Sequence, residues 1–151
     1  LQKDVDAAAT QEPWGVNLEQ KAGGKLLLNW DQFAWGKQST NTIVLGTKSF
    51  TETNPDLTKK LLKAHVRSIE FIREHPDEAV QLLIKHIKGL TGKELKASDI
   101  KAAMDRSEAT WDVNEQALKE MAAISKEAGY TTKDDISGFV NLSYLQEVTA
   151  K

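Results

Sequence analysis

Two proline-led helix starts constrain this chain more than any other feature. Asn54-Pro55-Asp56 is the first. Asparagine suits an N-cap, proline at a first helical position loses an N–H that would be unpaired anyway, and an acid there meets the positive end of the dipole. Behind it Leu57, Leu61, Leu62, Val66, Ile69 and Ile72 recur at spacings of three and four, which is one apolar helical stripe. His75-Pro76-Asp77-Glu78 ends that helix and starts a second, striped by Val80, Leu83, Ile84 and Ile87. Three shorter helices are expected downstream. One opens at Ser98-Asp99 and carries Ile100, Ala103 and Met104. Another is capped by Asn114 or Asp112, carries Leu118, Met121 and Ala122, and closes at Gly129. The last holds Leu142, Leu145 and Val148.

The front of the chain reads differently. Residues 5–10 are rich in small residues, consistent with a buried strand end. Glu12-Pro13-Trp14-Gly15 then starts a helix expected over about 14–22, burying Trp14, Val16 and Leu18 and stopped by Gly23-Gly24. Residues 25–29 form a compact strand candidate, and Thr42-Ile43-Val44-Leu45-Gly46-Thr47 is β-branched and apolar, the pattern of another strand. Residues 110–113 look extended. This is an α/β reading with two or three short strands and a surplus of helices. A sheet normally needs more strands than this for so many helices. The expectation is that partner strands and the true N-terminus lie upstream, and that the apolar opening from Leu1 is a strand already in progress.

Composition excludes several function classes. Hydrophobic residues are 40% and charged residues 28% of the 151, a globular balance. A net charge of −2 offers no basic surface for nucleic acid or for an anionic membrane. No run of apolar residues is long enough to span a bilayer. With no cysteine there is no disulfide, thiolate metal site or cysteine nucleophile. His65, His75 and His86 form no ligand-spaced pair, so neither a metal nor any other cofactor is expected. No nucleophile or acid/base constellation stands out, and the chain is read as a non-enzyme.

The candidate binding residues gather near the start. Glu12 and Trp14, with Pro13 between them, follow a strand candidate's carboxyl end, where open α/β sheets place their ligands. Glu12 can accept hydrogen bonds from an ammonium or orient a neighbouring donor, and Trp14 offers a flat apolar wall. The plainer reading of the pair is a helix-start acid beside a core tryptophan. Trp30, Phe33 and Trp35 form an aromatic cluster in a loop, suited to packing, with Trp35 a further ligand contact. Ser39, Thr40 and Asn41 suit either an oxyanion or a turn. Lys59, Lys60 and Lys63 read as a solvated face, His65 and His86 as structural or surface groups, and Asp134-Asp135 as a cap or turn.

The run Val5-Asp6-Ala7-Ala8-Ala9-Thr10-Gln11-Glu12-Pro13-Trp14-Gly15 resembles a passage of the aliphatic sulfonate, nitrate and taurine class of ABC substrate-binding proteins. The resemblance continues through Gly23-Gly24-Lys25-Leu26-Leu27, Thr42-Ile43-Val44-Leu45, Phe50, Asn54-Pro55-Asp56-Leu57, Thr110-Trp111-Asp112 and Asn141-Leu142-Ser143-Tyr144-Leu145. It implies part of a type II periplasmic binding fold: a helix-rich α/β lobe with a few short strands, closing on ligand by a hinge. Residues 1–41 would finish the second lobe and its return crossover, and 42–151 would supply the helical part of the first. The ligand implied is a small anion or zwitterion held at Glu12, Pro13, Trp14 and Trp35. The partners implied are permease subunits in the membrane, with a periplasmic or extracellular location and a lipid anchor on the longer protein. Self-association through exposed edges is a further expectation. Thiamine-pyrimidine relatives of this fold use a histidine and a cysteine-rich stretch, and the absence of cysteine departs from their pattern. A free-standing helical interaction domain is the remaining alternative.

Overall fold

A computed structural model describes residues 4–32, 35–36 and 39–150, with Trp30 described in its backbone only. The helices are α1 (Trp14–Ala22), α2 (Lys48–Thr53), α3 (Pro55–Glu74), α4 (Pro76–Thr91), α5 (Ala97–Met104), α6 (Glu115–Glu127) and α7 (Ser143–Thr149), with a short 3₁₀ turn at Trp30–Gln32. The chain divides into two units. Residues 1–33 and 71–110 make the first, and 34–70 with 111–151 make the second.

In the first unit, α5 packs against both α1 and α4. The apolar residues that meet there are Val16, Val80, Ile100 and Ala103, all buried. Helix α4 begins as its sequence dictates, with Pro76 in the first turn and Asp77 and Glu78 behind it. It ends at Gly92, whose φ of 70° is left-handed and suits a residue without Cβ. Helix α1 ends in the same way at Gly23, and Gly24 N–H donates to Leu18 O at 3.1 Å. Trp14 is not buried: it is 66% exposed. It stands two positions before Val16, a turn of about 200° around the helix, so the two side chains leave opposite faces.

In the second unit, the buried residues are Thr58, Val66 and Ile69 on α3 and Ala117 on α6. The last turn of α3, residues 71–74, counts with the first unit. Thr58 is a buried hydroxyl with a partner, since its Oγ1 donates to Asn54 O at 2.9 Å. Asn54 does not cap α3 with its side chain as its position suggests. Its Nδ2 donates back to Phe50 O at 3.1 Å and so closes α2. Helix α2 is itself capped by Thr47, whose Oγ1 accepts from Phe50 N–H at 3.2 Å. Helix α6 starts as expected, with Asn114 Oδ1 accepting from Ala117 N–H at 3.0 Å. Tyr144 at the start of α7 donates its hydroxyl to Thr51 O at 3.1 Å.

The α/β expectation is overturned. The described residues are 58% helical, and no strand occurs among them. Residues 5–10, 25–29 and 42–47 all lack regular structure. The physical reason is that a strand is completed by its neighbour: an extended segment needs another backbone to bond its N–H and C=O groups. None of these segments finds one among the described residues. Their side chains stay in solvent accordingly, with Leu27 at 79% and Leu45 at 69% exposure.

Candidate functional site

Glu12 is the hub of the first unit's polar structure. The turn before α1 folds its side chain back over the helix start. Oε2 accepts from Val16 N–H at 3.1 Å, doing for α1 what an N-cap side chain does. Oε1 accepts from Arg106 Nη1 at 3.2 Å, and Arg106 Nη2 donates to Glu19 Oε2 at 2.8 Å. The three side chains are largely covered, at 14%, 23% and 24% exposure for Glu12, Arg106 and Glu19. The hydrogen bond to Glu19, and secondarily that to Glu12, holds the Arg106 guanidinium above its already high ordinary value. Two carboxylates on one guanidinium leave a net negative charge at this place.

Gly15 is part of the same arrangement. A Cβ at that position would lie 2.6 Å from Glu12 Oε1. A Cβ essentially never sits so close to another heavy atom, and the carboxylate that would have to yield is held from two sides. The glycine leaves the room into which Glu12 folds.

Glu12 and Pro13 line a cavity of about 200 Å³ together with Leu83, Ile100, Ala103, Met104 and Ser107. Its walls are apolar except for the carboxylate and the Ser107 hydroxyl, which donates to Ala103 O at 3.0 Å. An apolar pocket with a small number of placed polar groups is the usual form of a small-molecule site. A larger pocket of about 470 Å³ lies in the same unit, with Arg73, Asp77, Lys101 and Glu108 on its walls. Those charges close on each other as Lys101–Asp77 and Arg73–Glu108, and Arg73 Nε also donates to Ala109 O. The Glu12 cavity is therefore the better candidate despite its size.

The sequence candidates are placed as follows. Glu12 and Pro13 share the cavity; Trp14 stands at the start of α1, exposed, and is not among the cavity's lining residues. Trp35 belongs to the second unit, where its Nε1 donates to Glu120 Oε2 at 2.7 Å. Glu120 also accepts from Gln116 at 2.9 Å, and these two bonds, Gln116 first, hold its carboxyl below the usual carboxylate range. Phe33 lies outside the described residues. Asp135 forms a turn, accepting from Ser137 N–H at 2.9 Å. Among the described residues, no group of three or more His, Cys, Asp or Glu is placed to hold a metal ion.

Arg106 was not legible as a site residue. It stands just past the end of α5 and 94 positions from Glu12. One local signal did exist: Glu12 and Glu19 are seven residues apart, two helical turns, so two acids share one side and call for a cation between them.

A family model matches the chain over residues 1–88, that of the NMT1-like family. That family is of the nitrate, sulfonate and taurine type of substrate-binding proteins, periplasmic components of ABC importers that are generally non-enzymatic. The matched stretch contains Glu12, Trp14, Gly15 and Glu19, and Arg106 lies beyond it. Neither a curated protein nor a solved structure matches the chain. No described helix is long and apolar enough to cross a membrane.

Proposed function

The chain belongs to the NMT1-like family, and from that membership we propose that it serves as the extracytoplasmic solute-binding component of an ABC importer, taking a small anion or zwitterion such as a sulfonate, taurine or nitrate. Glu12 accepts from the ammonium of a zwitterionic solute, beside Pro13. Permease subunits in the membrane receive it. No covalent chemistry is involved.

The observation that carries this reading is the fixed carboxylate of Glu12 on the wall of an otherwise apolar cavity. A carboxylate held from two sides does not have to be ordered when a ligand arrives, so less of the binding free energy is lost to immobilisation. The cavity holds only a few heavy atoms, which suits a small solute.

A thermal-shift screen with taurine, short alkanesulfonates, nitrate and bicarbonate tests the proposal. A ligand that binds only the folded chain stabilises it by about 2.7 kcal/mol at one hundred times its Kd. A rising midpoint with one of these solutes, abolished in Glu12→Ala, is expected. No shift with any of them would remove the ligand class from the reading.

A further inference from the structure

Among the described residues, the cation paired with Glu12 is the guanidinium of Arg106, which is shared with Glu19. Its charge is thereby matched twice over, so it offers a bare anion little. Glu12, by contrast, keeps acceptor capacity. A carboxylate has about four lone-pair directions, and the two bonds from Val16 and Arg106 occupy one on each oxygen. Glu12 also lines a pocket with Pro13, Leu83, Ile100, Met104 and Ser107, where a donor on a ligand would find that capacity.

We propose that Arg106 is a positioning residue that fixes Glu12 as an acceptor and thereby makes the site select an ammonium-bearing zwitterion over a bare anion. The inference rests on the reading of Glu12 as the ligand residue. It narrows the ligand class to solutes with a short carbon body and a protonated amine. The fork geometry of arginine is needed because one side chain must reach two carboxylates at once, one 3.2 Å from Nη1 and the other 2.8 Å from Nη2. Lysine keeps the charge but presents a single point that cannot hold both in this arrangement. Gly15 completes the device by leaving space for the folded-back side chain.

The test compares taurine with ethanesulfonate, which differ only by the amine, in calorimetric titrations of the wild-type chain, Arg106→Lys and Glu12→Gln. The wild type is expected to prefer taurine by about tenfold or more, the worth of one charge-assisted hydrogen bond. Both substitutions are expected to shrink that preference to about twofold or less. Backbone NMR supplies a second reading that needs no ligand. The Val16 amide should move in both variants, while the methyl groups of buried Val80 and Ile100 stay in place, as they would not if Arg106 merely held the unit together. An undiminished taurine preference in Arg106→Lys overturns the inference, and so does an unmoved Val16 amide. If the wild type binds neither sulfonate, the ligand reading fails and the selectivity with it. That failure is told apart from a failure of positioning by the Val16 amide, which then still responds to Arg106→Lys.

Discussion

The two units tie distant parts of their chain together by different means. In the first, Arg106 reaches back 94 and 87 residues to Glu12 and Glu19, and all three side chains are less than a quarter exposed. In the second, Lys59 pairs with Glu147 at 2.6 Å, but with 36% and 54% of the side chains in solvent. Both arrangements look alike as ion pairs. They differ in what water would supply if the pair were broken. An exposed lysine and glutamate regain hydration, so little is lost, whereas a covered carboxylate that loses its cation is left poorly solvated. The first unit's charges are therefore committed to one geometry, which is the property a binding group needs.

The widest separation between the units should appear on removing the two cations. Arg106→Ala is expected to destabilise the chain by about 2 kcal/mol, since two partly covered acceptors lose a charged donor together. Urea unfolding followed by circular dichroism measures it, and a loss below about 0.5 kcal/mol would erase the contrast. Gly15→Ala comes next. The added Cβ would meet Glu12 Oε1 at 2.6 Å, and displacing the carboxylate costs the Val16 cap, about 1 kcal/mol. A substitution of glycine by alanine inside an unconstrained helix should instead stabilise, so the sign of the change decides the matter. Lys59→Ala in the second unit is expected to leave the unfolding midpoint unchanged, and a clear loss there would show that exposed pairs carry more than the comparison allows.

The smallest effect concerns acid. Glu120 titrates below the usual carboxylate range because its charged form accepts from Gln116 and Trp35. The folded value is depressed, so the bond's contribution is fully present above the ordinary glutamate value of about 4.3. It is lost as the pH falls through the lower folded value. The indole N–H of Trp35 should move upfield in NMR spectra over that acidic range only. Movement nearer neutrality would disconnect it from Glu120.

Local physics was readable from the sequence wherever a residue acts on its own neighbourhood. Pro76 starts α4, Asn114 caps α6, and Gly23 stops α1 at the position its lack of Cβ favours. Residues 42–47 show where such reasoning ends. Ile43, Val44 and Leu45 have the right side chains for a strand, but pairing is not a property of the segment itself, and no partner is present among the described residues. A large apolar residue beside a helix start reads as core, but the angle of Trp14 from Val16 puts it outside. The candidate site was half legible. Glu12-Pro13 carried a recognisable pattern, but its partner Arg106 is distant in sequence, and nothing around Arg106 distinguishes it from a surface arginine.

Chemical-shift mapping of the ¹⁵N-labelled chain during a taurine titration tests the placement of the site most directly. Perturbations concentrated at residues 12–19 and at Leu83, Ile100, Met104, Arg106 and Ser107 are expected. Perturbations confined to the second unit, around Trp35 and Glu120, would contradict it.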